Sequence, residues 1–264
     1  MGVGKTIQAL AYAALHEEQW PVIVVCPANV KYNWAKEIRS WLPTSTLQVV
    51  EGRKYEFNDS DFTVINYDLM SYCEEQLLDM NAGIVIFDES HYLKNKGSKK
   101  KPVKRTVASM NVAEEADSVV CLSGTPITNR PVELFTTLEM VRPSEYKGQY
   151  WSYVKRYCDA YNNGYAWDVN GASNIPELHE KLRDVMIRRL KEEVLPELPD
   201  KMRQSIPAVV SSKELAEYRA VHRTFTRMYA DMQANGSVPQ GFVLNMLTEL
   251  RHAVGRLKVT PTVE

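Results

Sequence analysis

Four short apolar runs punctuate the first half of the chain: "PVIVVCP" at 21–27, "FTVINY" at 62–67, "AGIVIFDE" at 82–89 and "SVVCLSGT" at 118–125. None alternates apolar with polar residues, and all are rich in Val or Ile, the pattern of strands buried on both faces of a parallel sheet. The intervals follow another period. Over 28–42, "ANVKYNWAKEIRSWL", the residues Val30, Trp34, Ile38 and Leu42 fall four apart and make one apolar helix stripe. Pro131 to Met140 predicts a further helix, with Pro131 suited to its first turn. Strands alternating with helices predict a doubly wound α/β domain over residues 1 to about 140.

The second half changes character. Residues 143–175 are aromatic and polar, and Tyr146, Tyr150, Tyr153 and Tyr157 recur at intervals of three or four. That spacing reads as a packed helix face, with a base-stacking surface as the alternative. Helical segments follow around 176–194, 212–234 and 240–254, broken by "LPELPDK" and "NGSVPQG". The chain therefore divides into 1–142, an α/β domain, 143–210, a helical extension with no second sheet, and 211–264, a helical segment.

Composition narrows the function classes. The 264 residues are 44% hydrophobic and 25% charged with a net charge of −1, so contact with nucleic acid has to come from a local basic patch. Cys26, Cys73, Cys121 and Cys158 lie dozens of residues apart without a CxxC pair, which predicts free core thiols and neither zinc nor disulfides. His16, His179, His222 and His252 lack ligand spacing and read as surface residues. The apolar runs are too short for a membrane span and no signal peptide is visible, so an intracellular protein is expected.

Candidate chemistry sits at the ends of the apolar runs. Gly2-Val3-Gly4-Lys5-Thr6 stands directly before a helix. Glycines turn backbone N–H groups toward phosphate oxygens, the helix N-terminus adds positive potential, and the lysine and threonine suit β/γ-phosphates and Mg²⁺. Taken alone, a chance turn is the alternative. Asp88 and Glu89 close the third run, where open α/β sheets bind ligands. One carboxylate can hold Mg²⁺ and the other can orient water, although both can also simply cap a helix. Ser123, Gly124 and Thr125 form a small hydroxyl-bearing turn after the fourth run. "KNKGSKKKPVKR" at 94–105 carries seven Lys or Arg in twelve residues, a basic run that fits phosphate backbone or a solvated loop. Arg188, Arg189 and Lys191 can pair locally with Glu192 or Glu193, or can touch a further domain.

In this order, the three stretches resemble the first motor lobe of superfamily 2 helicases, and more closely the Swi/Snf-type ATPases that translocate along duplex DNA. "VVCPANVKYNWAKEI" at 24–38 is similar to that family's motif after the phosphate loop, with Asn33, Trp34 and Glu37 as its core. "VINYDLM", "DESHYLKN", "LSGTPITNRPVELF", "MIRRLKEEVLPELPDK" and "LRHAVGRLKV" resemble successive later motifs. The branch most resembled holds annealing helicases and their bacterial and phage relatives. Ser90 departs from the family's usual alanine and leaves Asp88, Glu89 and His91 in place.

The resemblance implies a RecA-like lobe that binds ATP through Gly2, Val3, Gly4, Lys5 and Thr6, with Mg²⁺ held by Thr6 and Asp88. It implies catalytic roles for Lys5, Asp88 and Glu89. His91, Ser123, Gly124 and Thr125 would couple nucleotide state to DNA contact. Double-stranded DNA would lie against Pro27, Asn29, Lys94, Asn95, Lys99, Lys100, Lys101 and Asn129. The strand ahead of the phosphate loop and a second RecA-like lobe, which supplies arginines to the ATP site, are expected outside this chain. The isolated chain is then expected to be nearly inert, since an arginine finger typically contributes about 10³ to 10⁵ in rate. The 143–210 extension closes the lobe and 211–264 leads toward the second one. A DNA-associated location follows, the cytoplasm of a bacterium or phage host, or the nucleus of a eukaryote. The rival readings are a strand-separating DNA or RNA helicase and a non-catalytic DNA-binding remnant of such a motor.

Overall fold

The computed structural model describes residues 2–98, 100–125, 130–194, 197, 202, 204, 210, 212–234, 236 and 239–263. They fall into two compact units, Met1–Leu198 and Pro199–Glu264.

The first unit begins with helix α1, Lys5–Leu15, and strand β1, Val22–Cys26. Helix α2, Lys31–Trp41, strand β2, Leu47–Val49, and strand β3, Phe62–Asn66, follow. Helix α3, Glu74–Asp79, leads to strand β4, Ile84–Asp88. A small ribbon of β5, Gly97–Ser98, and β6, Lys101–Pro102, precedes helix α4, Lys104–Glu115, and strand β7, Ser118–Leu122. The central sheet has five parallel strands in the order β2-β3-β1-β4-β7.

The Val/Ile runs become strands because both faces of the sheet are covered. Val22, Val24 and Cys26 of β1 pack with Ala9, Leu10, Trp34 and Ile38 of α1 and α2. Ile23 and Val25, pointing the other way, pack with Tyr67, Met70, Leu77, Ala108 and Val112 under α3 and α4. Every residue of β1 and β3 is buried, and each such aliphatic side chain contributes about 1.5–3 kcal/mol relative to exposure.

The predicted stripe at 28–42 packs as expected, with Trp34 and Ile38 buried and Val30 and Leu42 packed against the same cluster. Its first three residues, Ala28–Val30, form a 3₁₀ turn and not an α-helix. The predicted helix from Pro131 likewise opens as a 3₁₀ turn, Pro131–Leu134, before α5, Phe135–Val141. The expectation of full burial fails for β7, all five residues of which are only half buried. Among the described residues β7 pairs with β4 alone, so one side of the strand lacks a neighbour.

The direction of α1 decides where the loop at 2–6 lies. Near its C-terminal end, the Tyr12 hydroxyl donates to Ser118 Oγ at 3.0 Å, and Ser118 Oγ donates to Gln19 Oε1 at 2.7 Å. Ser118 is the first residue of β7, so this end of α1 sits at the N-terminal edge of the sheet. Eleven helical residues span about 16 Å, roughly the length of a five-residue strand. The start of α1 therefore reaches the opposite edge, where the strands end. Gly83 keeps this arrangement tight: a Cβ there would lie 2.3 Å from the Gln19 carbonyl oxygen. Gly83→Ala should destabilise the unit by about 1–3 kcal/mol. A thermal melt checks this, and an unchanged midpoint would contradict the packing.

The extension continues with α6, Pro143–Tyr146, α7, Tyr150–Tyr157, β8, Tyr161–Asn162, β9, Trp167–Asp168, α8, Ile175–Leu182, and α9, Lys191–Val194. Tyr146, Tyr153 and Tyr157 pack with Phe135, Leu138 and Leu178, with Tyr150 against them, so the tyrosine spacing is a packed face. Two details differ from expectation. β8 and β9 pair as a two-stranded antiparallel ribbon within a region expected to hold no sheet. The helix predicted over 176–194 is interrupted between Leu182 and Lys191. Arg156 forms a forked ion pair with Glu177, and the Tyr157 hydroxyl donates to Glu177 Oε1 at 2.7 Å, which ties α7 to α8.

In the second unit, α10, Ser212–Ala234, packs on α11, Gln240–Val263. α11 outruns the predicted end at 254, since a single interior glycine such as Gly255 costs only about 1 kcal/mol. No helix among the described residues is long and apolar enough to cross a membrane.

Candidate active site

Because the sheet is parallel, the residues after Cys26, Asn66, Asp88 and Leu122 emerge along one edge. The chain connects outward from β1 to β2 on one side and continues from β4 to β7 on the other. This reversal of strand order leaves the crevice in which open α/β sheets take ligands.

The glycine-bearing loop at 2–6 meets that edge. Gly2 and Gly4 have φ of 79° and 78°, values that side-chain-bearing residues adopt only with strain. No atom lies within 4 Å of where a Gly4 Cβ would be, so the glycine serves backbone geometry and not packing. Gly4 is the residue before α1, its carbonyl accepts the first helical bond from Gln8 N at 3.0 Å, and the Gln8 side chain donates to Val3 O at 3.3 Å. The first turn of α1 contains no acidic residue, so its N-terminal potential is not offset there.

Asp88 ends β4 and is held by three donors. Its Oδ1 accepts from Glu89 N at 3.0 Å, its Oδ2 accepts from the Trp34 indole N–H at 2.9 Å, and its main-chain carbonyl accepts from the Tyr67 hydroxyl at 2.7 Å. Burial pushes the Tyr67 phenol well above its ordinary range, so it remains a donor. Burial, reinforced by Asp88, pushes the Cys26 thiol up to about 12. All four cysteines are free, and Cys73 and Cys158 are buried. Neither Trp34 nor Tyr67 was singled out by sequence reasoning as touching Asp88. Their presence within the motifs at 24–38 and 64–70 was the only signal.

Glu89 is the unusual backbone position. Four described non-glycine residues have positive φ: Asn81, Asp159 and Asn174, whose type tolerates it, and Glu89 at 51°. Such strain typically costs about 1–3 kcal/mol and persists where surrounding structure enforces it. Glu89 Oε2 is buried without a hydrogen-bond partner, although His91 Nδ1 lies 3.2 Å away. The same His91 nitrogen is 3.4 Å from Ser123 Oγ, which accepts from Thr125 N at 3.1 Å. The structure thus joins Glu89, His91, Ser123 and Thr125. Gly124 is exposed beside them.

No group of three or more His, Cys, Asp or Glu among the described residues could hold a metal by itself. One hydroxyl, one carboxylate and substrate phosphates fit Mg²⁺, which keeps water and rarely occupies an all-protein cage. Thr6 and Asp88 meet that description, so the residues present fit the ion. Among the described residues, a cavity of about 430 Å³ is lined by four basic and three apolar side chains between His179 and Arg189 of the extension, with no carboxylate among them, and lies outside this constellation.

The expected DNA-facing residues divide. Pro27 is half buried and Asn29 exposed at the start of the α2 segment. Lys94 pairs with Glu133 at 3.3 Å, Lys96 pairs with Glu139, and Arg105 lies 3.9 Å from Asp68. Asn95 Oδ1 accepts from Gly97 N at 2.7 Å. Lys100 and Lys101 are exposed on the β5–β6 ribbon and, like Lys104, make no ion pair among the described residues. The sharp ribbon needs Gly97, with φ of 74° and a Cβ position 2.3 Å from Lys101 O. Lys99 and Asn129 lie outside the described residues.

Comparison with known proteins adds to this geometry. Residues 1–258 match the SNF2-related domain. The chain is 36% identical over 263 residues to the DNA annealing helicase and endonuclease ZRANB3 of Mus musculus, a match covering 95% of this chain and 24% of that protein. It is 37% identical over 235 residues to the SWI/SNF-related matrix-associated actin-dependent regulator of chromatin subfamily A-like protein 1 of Xenopus tropicalis, covering 86% of this chain and 24% of the relative. The chain therefore spans about a quarter of the length of these relatives. The fold matches the Sulfolobus solfataricus SWI2/SNF2 ATPase core in complex with dsDNA with a TM-score of 0.58 at 23% identity, over 96% of this chain and 52% of that one. On a motif order, a sheet and a match that runs nearly end to end, the chain belongs to the SNF2-related domain family.

Proposed function

We propose that this chain is the first, ATP-binding lobe of a DNA-dependent ATPase that moves along double-stranded DNA, with residues 1–142 as the nucleotide lobe. In this reading 143–210 closes the lobe and 211–264 leads to a second one. The carrying observation is Glu89 directly beside Asp88 at the C-terminal edge of the sheet, with its backbone in the left-handed region and its Oε2 3.2 Å from His91 Nδ1. Phosphoryl transfer to water needs positioning and charge neutralisation more than covalent chemistry. The backbone of Gly2, Val3 and Gly4 would cradle phosphates, and Lys5 would neutralise the β- and γ-phosphates. Thr6 and Asp88 would hold Mg²⁺, which supplies further charge neutralisation when bound. Glu89 is the base that orients water and takes its proton. His91, Ser123, Gly124 and Thr125 would link that carboxylate to DNA contact at the neighbouring turn. The relatives described as annealing helicases, and the archaeal core described in complex with dsDNA, support DNA as the partner.

A triplex-displacement assay on the full-length protein tests movement along an intact duplex. ATP-dependent loss of the third strand, with the duplex left paired, is expected. Separation of the duplex itself would favour a strand-separating helicase, and ATP binding with no turnover would favour a non-catalytic module. The ion pairs at Lys94 and Lys96 shift the DNA-contact assignment toward Lys100, Lys101 and Lys104. Replacing those three with Ala should reduce the log–log salt slope of duplex binding by about 2 to 3, close to 0.9 per lost phosphate contact. An unchanged slope would place the duplex elsewhere.

A further inference from the structure

Among the described residues of the first unit, Trp34 is the largest fully buried side chain, 1% exposed, and its only polar atom is spent on Asp88. An indole nitrogen can only donate. The torsion that turns an aspartate's carboxylate plane is broad and two-fold, so the plane is not fixed by the side chain itself. Here each oxygen takes one donor: Oδ1 the N–H of Glu89 at 3.0 Å and Oδ2 the indole of Trp34 at 2.9 Å. Two donors from different elements fix the plane. One donor belongs to the strand end itself. The other belongs to α2, the helix that follows the half-buried Pro27 and exposed Asn29 segment.

We propose that Trp34 is a positioning residue for the nucleotide site. Its indole N–H sets the orientation in which Asp88 meets the metal–nucleotide complex, and so ties that carboxylate to α2, the helix that follows the 27–30 segment. This inference rests on the function proposed above. Satisfying a buried indole would by itself account for the bond, so the decisive property is one that packing alone does not move, the requirement for Mg²⁺.

Four forms of the full-length protein separate the cases: parent, Trp34→Phe, Trp34→His and Ile38→Val. Trp34→Phe keeps a ring and loses the donor, and Trp34→His restores a ring N–H in the same space. Ile38→Val thins the same packing layer without touching the donor. Circular dichroism establishes that each is folded. Binding of a fluorescent ATP analogue and duplex-stimulated turnover are then titrated with Mg²⁺. Removing a partner that orients a metal-binding group typically costs about 10- to 100-fold. Trp34→Phe should raise the half-saturating Mg²⁺ concentration about tenfold in both titrations and lower kcat, with duplex affinity unchanged. Trp34→His should fall nearer the parent, and Ile38→Val should match it. A Trp34→Phe curve that overlays the parent, or an equal shift in Ile38→Val, would overturn the inference. Lys5→Ala run alongside keeps the two claims apart. If Lys5→Ala abolishes analogue binding while Trp34→Phe leaves the Mg²⁺ curve in place, only the positioning role fails. If Lys5→Ala binds and turns over normally, the nucleotide site itself is wrong and both fail.

Discussion

Glu89→Gln in the full-length protein is expected to lower duplex-stimulated ATP turnover by about 10³-fold while ATP still binds, the scale of a lost general base. The amide keeps the size of the side chain and removes its ability to take a proton. Three features of the structure place the effect at this residue. Its backbone is held at a positive φ of 51°, its Oε2 lies 3.2 Å from His91 Nδ1, and the same nitrogen is 3.4 Å from Ser123 Oγ. The side chain is only partly buried, and a carboxylate has lone pairs beyond the one facing His91 with which to accept from a water aligned for attack on a phosphate. Filter binding of labelled ATP beside a phosphate-release assay checks both halves. Retained turnover would remove Glu89 from the chemistry. Loss of binding together with turnover would make it a structural residue.

Lys5→Ala should carry the second large effect, on both binding and rate. The side chain stands on the first residue of α1, beyond two left-handed glycines, with no acidic residue in the first helical turn to draw it away. Deleting one group that stabilises developing charge typically costs about 10² to 10³ in rate. Lost ground-state contact with the β- and γ-phosphates should weaken nucleotide affinity as well. Titration with a fluorescent ATP analogue reads this directly. An affinity equal to that of the parent would mean that the loop at 2–6 is a turn and not a phosphate cradle.

Much of this was legible in the chain before any coordinates. The runs at 21–27, 62–67 and 82–89 announced buried parallel strands, because Val and Ile without alternation have few other uses. Asp88 and Glu89 stood at a strand end by sequence alone. Other features had no sequence signal strong enough to read. β2 is three residues long and half buried, too short for periodicity. The β5–β6 ribbon hides inside a lysine run, with Gly97 as its one local clue. β7 carries an inner strand's composition, yet among the described residues it pairs with β4 alone, and neighbour number is a property of the sheet and not of the strand. The bonds from Trp34 and Tyr67 to Asp88 join residues 54 and 21 apart in sequence, and only the packing of α2 on the sheet and the strand order β3-β1-β4 bring them together. The basic run illustrates the same limit, since seven cations looked alike until Lys94 and Lys96 were found paired to Glu133 and Glu139.

The most direct test of a DNA-dependent ATPase built on this lobe is phosphate release from ATP by the full-length protein, measured with and without linear duplex at saturating Mg²⁺. The site geometry and the family predict slow release alone and a rise of at least tenfold when duplex is added, on the scale of added transition-state contacts. Equal release in the two conditions, or none in either, would contradict that account.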